Sequence, residues 1–157
     1  MKQLLVATLV PMLCLFYNSV QANVSPNPSY LIVTAASNPN TAYLGVYQGT
    51  LPCTDCQGIV MELTLKENGK SKSKTFVLKQ KYLGKPAAQS VYTVTGKWFL
   101  ATGNKQNPKA RILQLIPDGK EDLLYFELLK DGSIKMLDNR QNQLKSKHNY
   151  TLKKQRT

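Results

Sequence analysis

Acidic residues, imidazole and sulfur are all scarce in this sequence. The chain of 157 residues has nine Asp and Glu residues against 21 Lys and Arg, and it has one His, one Trp, three Cys and four Met. The lack of a His-rich or Met-rich tract excludes a metal carrier built from many soft ligands. The excess of basic residues gives a formal net charge of +12, which favours anionic partners and says nothing about the fold.

The longest apolar run lies at the N-terminus and is too short to cross a membrane. Leu4–Tyr17 offers about 14 nearly uninterrupted apolar residues, whereas a spanning helix needs roughly 20. Lys2 precedes the run, and Val20 and Ala22 stand at positions −3 and −1 before Asn23. The pattern predicts a secretory signal peptide over residues 1–22, cleaved between Ala22 and Asn23, and therefore a periplasmic protein with no transmembrane segment after the cut.

Cys14 raises the alternative of a membrane-anchored lipoprotein, because lipoprotein signals are cut just before a cysteine. Such signals have small side chains before that cysteine, whereas Pro11-Met-Leu13 is bulky, so we predict no lipobox. Export also argues against nucleic acid as a partner despite the basic composition. In the envelope the charge would instead meet an anionic membrane surface, lipopolysaccharide or an acidic polymer, or it forms a solvated basic face without a partner.

Helical periodicity is absent as well, since no sustained 3.6-residue apolar repeat of helix length occurs. Residues 23–41 are rich in Pro, Asn and Ser and are expected to form a flexible leader, with one short apolar segment over 30–36 as a possible added strand. Residues 42–157 alternate short β-branched or aromatic segments with turn residues. The predicted strands are Leu44–Leu51, Ile59–Lys66, Thr75–Tyr82, Val91–Leu100, Arg111–Ile116, Leu123–Leu129, Ile134–Leu137 and His148–Leu152.

This order predicts an all-β domain, an up-and-down antiparallel barrel of about eight strands. Trp98, Tyr150, Met61 and Met136 are expected to be core residues, and His148 a surface or strand-end residue. Several side chains are expected to point inward, where they either fill the interior or line a cavity: Ile59, Leu63, Phe76, Trp98, Leu113, Phe126 and Ile134.

Two cysteines, Cys53 and Cys56, remain after the predicted cleavage. In an oxidising compartment their default state is a disulfide. The motif Cys53-Thr-Asp-Cys56 lies in a loop between two predicted strands, whereas a thioredoxin-like oxidoreductase places this spacing between a strand and a helix. The loop context therefore argues against an enzyme.

The residues around this pair resemble a known family. The string Gly45-Val-Tyr-Gln-Gly-Thr-Leu-Pro-Cys-Thr-Asp-Cys-Gln-Gly-Ile59 is similar to the start of the N-terminal domain of the NlpE copper-resistance lipoproteins. The resemblance extends over residues 42–153 through four later landmarks: Tyr82-Leu-Gly84, Gly96-Lys-Trp98, Met136-Leu-Asp138 and Asn149-Tyr-Thr-Leu152. We expect a chain without the lipobox and without the C-terminal domain of the best-known members.

The resemblance implies a lipocalin-like barrel in the bacterial envelope, a link to copper tolerance, and stress signalling to a membrane sensor kinase, without catalysis. Its functional residues are Cys53 and Cys56, with Asp55 as a modulator, while Gly49 and Gly58 are expected to meet the backbone demands of the turn. Three states of the pair stay open: a disulfide that acts as a staple or redox latch, a Cu(I) site formed by two thiolates, or neither. A lipocalin-like carrier of a small apolar ligand is the alternative function.

Overall fold

The computed structural model describes residues 41–86 and 90–156, so the predicted signal peptide and the leader up to residue 40 lie outside it. The described part contains eight strands and no helix. They are β1 Gly45–Leu51, β2 Gly58–Glu67, β3 Lys74–Leu83, β4 Val91–Thr102, β5 Arg111–Pro117, β6 Leu124–Leu128, β7 Ile134–Met136 and β8 Thr151–Lys154. Within these residues no helix is long and apolar enough to cross a membrane.

The strands form a closed antiparallel barrel in which each strand pairs with the next along the chain. The ring is closed by β8, where Lys153 and Lys154 pair with Gln48 and Tyr47 of β1. The predicted fold class, strand number and order are confirmed. The first seven strands lie within two residues of their predicted bounds because turn residues separate short β-branched or aromatic segments.

The last strand is the exception, since β8 is Thr151–Lys154 and not His148–Leu152. Side-chain hydrogen bonds hold the preceding residues in a local turn: Ser146 Oγ accepts from the His148 N–H at 3.1 Å, and Asn149 Oδ1 accepts from the Thr151 N–H at 3.0 Å. Such local bonds compete with the sheet ladder. The predicted core residue Tyr150 consequently lies before the strand and is only partly buried.

The barrel interior is filled by side chains. Leu63, Trp98, Leu113, Phe126 and Ile134 have no exposed surface. A void large enough for water beside them would leave them accessible area, so the interior is packed around them. Of the other side chains predicted to point inward, Phe76 is 1% exposed, and Ile59 is partly buried against the same cluster.

Aromatic contacts close the end of the barrel where the described chain begins. The rings of Tyr43 and Trp98 meet edge to face with centroids 5.7 Å apart, and the Trp98 indole N–H donates to the Lys66 carbonyl at 2.9 Å. The buried Tyr47 hydroxyl donates to the Tyr43 carbonyl at 2.8 Å. Trp98 is therefore a core residue, as predicted, as is Met61, which is 3% exposed.

Gly49 has a different role from the predicted one. It lies in the middle of β1, where an added Cβ would stand 2.6 Å from the Thr151 carbonyl oxygen and 3.0 Å from the Leu152 side chain. The absence of a side chain lets β8 approach β1 and close the barrel. Gly58, in contrast, has a φ of 149° at the start of β2, which is the backbone demand that the sequence predicted.

A second, smaller apolar cluster lies on the outside of the barrel and consists of Ala110, Ile112 and Leu137 with Tyr125 packed against them. Residues 137–143 turn back over this part of the wall. The Gln143 side-chain amide donates to the Glu127 carboxylate at 2.9 Å. Ile112 of β5 is thereby removed from solvent and has no exposed surface, and Tyr125 of β6 is partly buried against it.

Candidate functional site

The cysteine pair lies at one rim of the barrel, in the loop between β1 and β2. Cys53 and Cys56 form a disulfide with Cα atoms 5.3 Å apart. Both residues are partly exposed, and the two residues between them are exposed. The pair is therefore open to solvent and to a reducing partner.

Asp55 connects this loop to the next loop along the rim. Its carboxylate lies 3.1 Å from the Lys85 ammonium and 3.5 Å from Cys53 Sγ. Lys85 lowers the pKa of Asp55, first through the hydrogen bond and then through its charge. Since the Asp55 side chain is 78% exposed, solvent screens this ion pair and it contributes little to stability.

The backbone also holds the cysteine loop against the end of β3. The Gln57 N–H donates to the Leu83 carbonyl at 3.1 Å, and Cys56 Sγ lies 3.3 Å from the Gly58 carbonyl oxygen. In an up-and-down antiparallel barrel the loops after β1, β3 and β5 emerge at the same end. The fold therefore places the sulfur pair beside residues that are far away in sequence.

A groove of about 460 Å³ opens next to the pair. It is lined by Asp55, Lys85, Glu121, Tyr82 and Tyr92 among others, and the two tyrosine rings meet edge to face at 5.4 Å. Of these, the sequence predicted Asp55 alone as a site residue. The even-numbered residues of β3 and β4 point inward, so the alternation along these strands could have placed Tyr82 and Tyr92 at the open end of the barrel. No local pattern in the sequence indicates that Lys85 contacts Asp55.

The remaining candidate ligands lie in the core or in another loop. Met61 is buried in the barrel core, Met136 packs against that core, and His148 is exposed in the connection between β7 and β8. In the described part of the chain no group of three or more His, Cys, Asp or Glu residues is placed to hold a metal ion. Because Met61 and Met136 lie in or against the core, Cys53 and Cys56 are the sulfur atoms that the described part of the rim offers to a metal ion.

The two cysteine sulfur atoms can bind Cu(I) only when the disulfide is reduced. A disulfide offers no thiolate, so the oxidised pair has no charge with which to hold the ion. Two electrons and two protons convert it to two thiols whose Cα atoms are 5.3 Å apart in the oxidised form. Two neighbouring thiolates suit Cu(I), which is soft and accepts few sulfur ligands.

Comparison with known proteins agrees with this architecture. The family model for the NlpE N-terminal domain matches residues 47–147. A curated relative, Lipoprotein NlpE of Escherichia coli strain K12, is 32% identical over 106 residues, which are 68% of this chain and 39% of that protein. This chain therefore matches about two fifths of the length of that relative.

Two solved structures are also similar. A putative lipoprotein from Shewanella oneidensis is 30% identical, with a TM-score of 0.50 over 73% of this chain and 91% of the other. The Cpx pathway activator NlpE from Escherichia coli is 30% identical, with a TM-score of 0.49 over 72% of this chain and 52% of the other. Because the family model covers most of the barrel and the curated relative shares nearly a third of the aligned residues, this chain belongs to the NlpE family through its N-terminal domain.

Proposed function

We propose that this chain is a non-enzymatic envelope protein of the NlpE type that acts in copper homeostasis or envelope stress through its rim cysteines. The observation that carries the proposal is the exposed Cys53–Cys56 disulfide beside the Asp55–Lys85 ion pair. In this proposal the pair is a redox latch: a disulfide under oxidising conditions and a Cu(I) site when it is reduced.

Stability is a weak reason for the chain to have this disulfide. The loop that it closes contains only four residues, so by chain entropy it stabilises the fold by about 2 kcal/mol at most. The barrel has its own packed core, and the double variant Cys53→Ser/Cys56→Ser should therefore still fold. A bond that contributes little to stability and is open to solvent is better suited to change its state.

Reduction supplies the ligands that the proposal needs. A dithiol reductant gives two electrons and two protons to the disulfide, is itself oxidised, and leaves two thiols at the rim. Metal capture then releases the thiol protons, because the thiolate is the ligand. Asp55 is proposed to modulate the pair, since a carboxylate close to Cys53 Sγ opposes a second negative charge there unless Lys85 neutralises it.

The alternative function, a carrier of a small apolar ligand, is not favoured by the interior. The inward side chains of the described barrel are packed against one another, with Trp98, Leu113 and Phe126 fully buried. The groove at the rim carries a Lys85 ammonium and the carboxylates of Asp55 and Glu121, which an apolar ligand would have to desolvate.

The signalling part of the proposal comes from the relatives. One similar structure is described as an activator of the Cpx pathway, and the curated relative is named a lipoprotein. We extend to this chain a place in the envelope and a membrane sensor kinase as partner. Production of the chain in a host that carries an envelope-stress reporter should raise the reporter signal, and an unchanged signal with the folded protein in the envelope would argue against the kinase.

The metal site is tested by titrating the reduced protein with Cu(I) against a competing chelator under anaerobic conditions. We expect one ion per chain, lost in Cys53→Ser/Cys56→Ser and retained in the control Met136→Leu, which removes a soft donor packed against the core. Equal binding by the cysteine variant, or loss in the control, would place the ion elsewhere. No competition by any variant would leave the pair as a latch without a metal.

A further inference from the structure

One face of the barrel wall is left open to solvent although it carries apolar side chains. Every outward residue of β4 is exposed, from Val91 to Ala101. On the neighbouring wall, residues 137–143 cover Ile112, which has no exposed surface. The chain therefore covers Ile112 and leaves Ile116 of β5 and the outward residues of β4 uncovered.

The open face combines large apolar side chains with lysines in neighbouring positions. Val91, Phe99 and Ile116 are 60%, 49% and 38% exposed. Lys81 pairs across the strands with Val91, and Lys97 pairs with Ile116. We name this surface, defined by Lys66, Lys81, Val91, Lys97, Phe99 and Ile116, the β4 face.

Its lysines are not neutralised by the protein. On the same wall Lys79 lies 3.3 Å from the Glu62 carboxylate. Among the described residues, no carboxylate lies within ion-pair distance of Lys66, Lys81 or Lys97. The Asp118 carboxylate accepts from the Thr95 hydroxyl on the same wall at 3.1 Å, so the three lysines leave the β4 face with a net positive charge around its exposed apolar groups.

We propose that the β4 face binds the surface of an anionic lipid bilayer. Lysines near an anionic membrane gain electrostatic energy while their aliphatic stems follow the apolar surface. Phe99, Val91 and Ile116 gain by entering the boundary between headgroups and acyl chains. A soluble acidic polymer would match the charge but offers no apolar layer for these side chains, so the bilayer fits the face better.

The test compares two triple variants of the full chain, which lose the same charge and share the same N-terminal apolar run. Lys66→Gln/Lys81→Gln/Lys97→Gln removes the lysines of the β4 face, and Lys145→Gln/Lys147→Gln/Lys153→Gln removes lysines elsewhere. Binding is measured by cosedimentation with vesicles that contain phosphatidylglycerol, and with phosphatidylcholine vesicles as reference. Circular dichroism confirms that both variants are folded.

We expect the first variant to lose affinity for anionic vesicles by roughly fivefold for each lysine, while the second loses less than about twofold in total. Added salt should weaken binding of the unaltered chain. An equal loss in both variants would overturn the proposal, since it would mean that only net charge matters. Binding to soluble polyphosphate without binding to vesicles would overturn it as well.

The variant Phe99→Trp gives a second measurement, tryptophan fluorescence quenching, which electrostatic adsorption alone would not change. Lipids with a nitroxide in the headgroup region should quench the new indole more than Trp98, which is buried in the barrel. Quenching no greater than that of the unaltered chain would show that Phe99 stays in water, and the β4 face would then not be the binding surface.

Discussion

At the scale of single residues, Asp55 links the cysteine loop to the next loop along the rim. Its carboxylate lies between Cys53 Sγ at 3.5 Å and the Lys85 ammonium at 3.1 Å. Lys85 keeps the pKa of Asp55 below its ordinary value. The carboxylate is therefore ionised at any pH at which the thiols of a reduced pair could lose their protons.

We predict that Lys85→Gln raises the pKa of Asp55 toward its ordinary value, because the hydrogen bond and the charge that favour the carboxylate are lost. The ion pair contributes to stability above the ordinary carboxyl pKa, and this contribution disappears as the pH falls through the lowered pKa of the folded state. The stability of the variant should therefore depend less on pH in this acidic range. Carboxyl NMR titration measures the shift.

Asp131 and Asp138 are internal controls in the same spectra. Their pKa values are lowered by Ser133 and by Asn142, respectively, and should not change in Lys85→Gln. An unchanged Asp55 would show that the ion pair does not exist in solution, and shifts at all three carboxyls would indicate a general structural change.

The Tyr47 hydroxyl provides a test of the buried core. Burial raises its pKa to about 12. We predict that Tyr47→Phe costs about 1 kcal/mol in unfolding free energy at pH 7, because the hydrogen bond to the Tyr43 carbonyl is lost. Unfolding in urea measures the difference, with Tyr92→Phe, at a half-exposed ring, as a near-neutral control.

The sign of the pH dependence follows from the raised pKa. Tyr47 favours the folded state fully below pH 10, and this contribution falls as the pH rises toward 12, since the unfolded chain ionises first. Phenylalanine cannot ionise, so the gap between the two proteins should close by about pH 11. A constant gap from pH 7 to pH 11 would mean that Tyr47 titrates normally.

The candidate site was predictable from the sequence only in part. Cys53, Cys56 and Asp55 stand within four consecutive residues, so their proximity follows from chain length alone. Lys85 is separated from Asp55 by 30 positions, and the contact arises only because the loops after β1 and β3 emerge at one end of the barrel. The groove between them depends on tertiary packing that no local pattern encodes.

At the scale of elements, two glycines set how closely the strands approach. Gly49 accommodates β8, and an added Cβ at Gly96 would collide with the Ile116 carbonyl oxygen and stand 2.7 Å from the Phe76 ring. Both positions face inward, where the curved wall brings the next strand or the core against the backbone. Glycine is therefore required here for space and not for an unusual φ.

We predict that Gly96→Ala destabilises the fold by about 1–3 kcal/mol, because β5 and Phe76 must both move. Gly69→Ala is the matched control, since an added Cβ there meets nothing within 4 Å, and it should be neutral or stabilising by up to about 1 kcal/mol. Thermal or urea unfolding compares them. Equal changes in unfolding free energy for the two substitutions would contradict the close contact of Gly96 with β5 and Phe76.

The same scale shows why most of the fold follows from the sequence. In β2 the residues Met61, Leu63 and Leu65 alternate with exposed or half-buried ones, and that period of two predicts a strand and its inward face. β8 has only four residues with one buried among them. Hydrogen bonds of Ser146 and Asn149 determine where β8 begins, and the alternation of apolar and polar residues does not predict these bonds.

At the scale of the whole molecule, the barrel is a packed scaffold with its chemistry at one rim. Leu63, Trp98, Leu113, Phe126 and Ile134 have no exposed surface, so a ligand has no ready space around these core side chains. The rim joins the disulfide, a carboxylate and an ammonium, and the β4 face lies on the wall. The disulfide can therefore be reduced, and the β4 face can bind a partner, without repacking of the barrel core.

The central claim is that the rim cysteines, and not the barrel interior, form the functional site. Amide NMR spectra of the reduced, ¹⁵N-labelled protein before and after one equivalent of Cu(I) test it most directly. The account predicts shifts confined to Cys53–Gly58 and the adjacent Leu83–Lys85, absent in Cys53→Ser/Cys56→Ser. Shifts centred on Leu63, Trp98 and Phe126, or an unchanged rim, would contradict it.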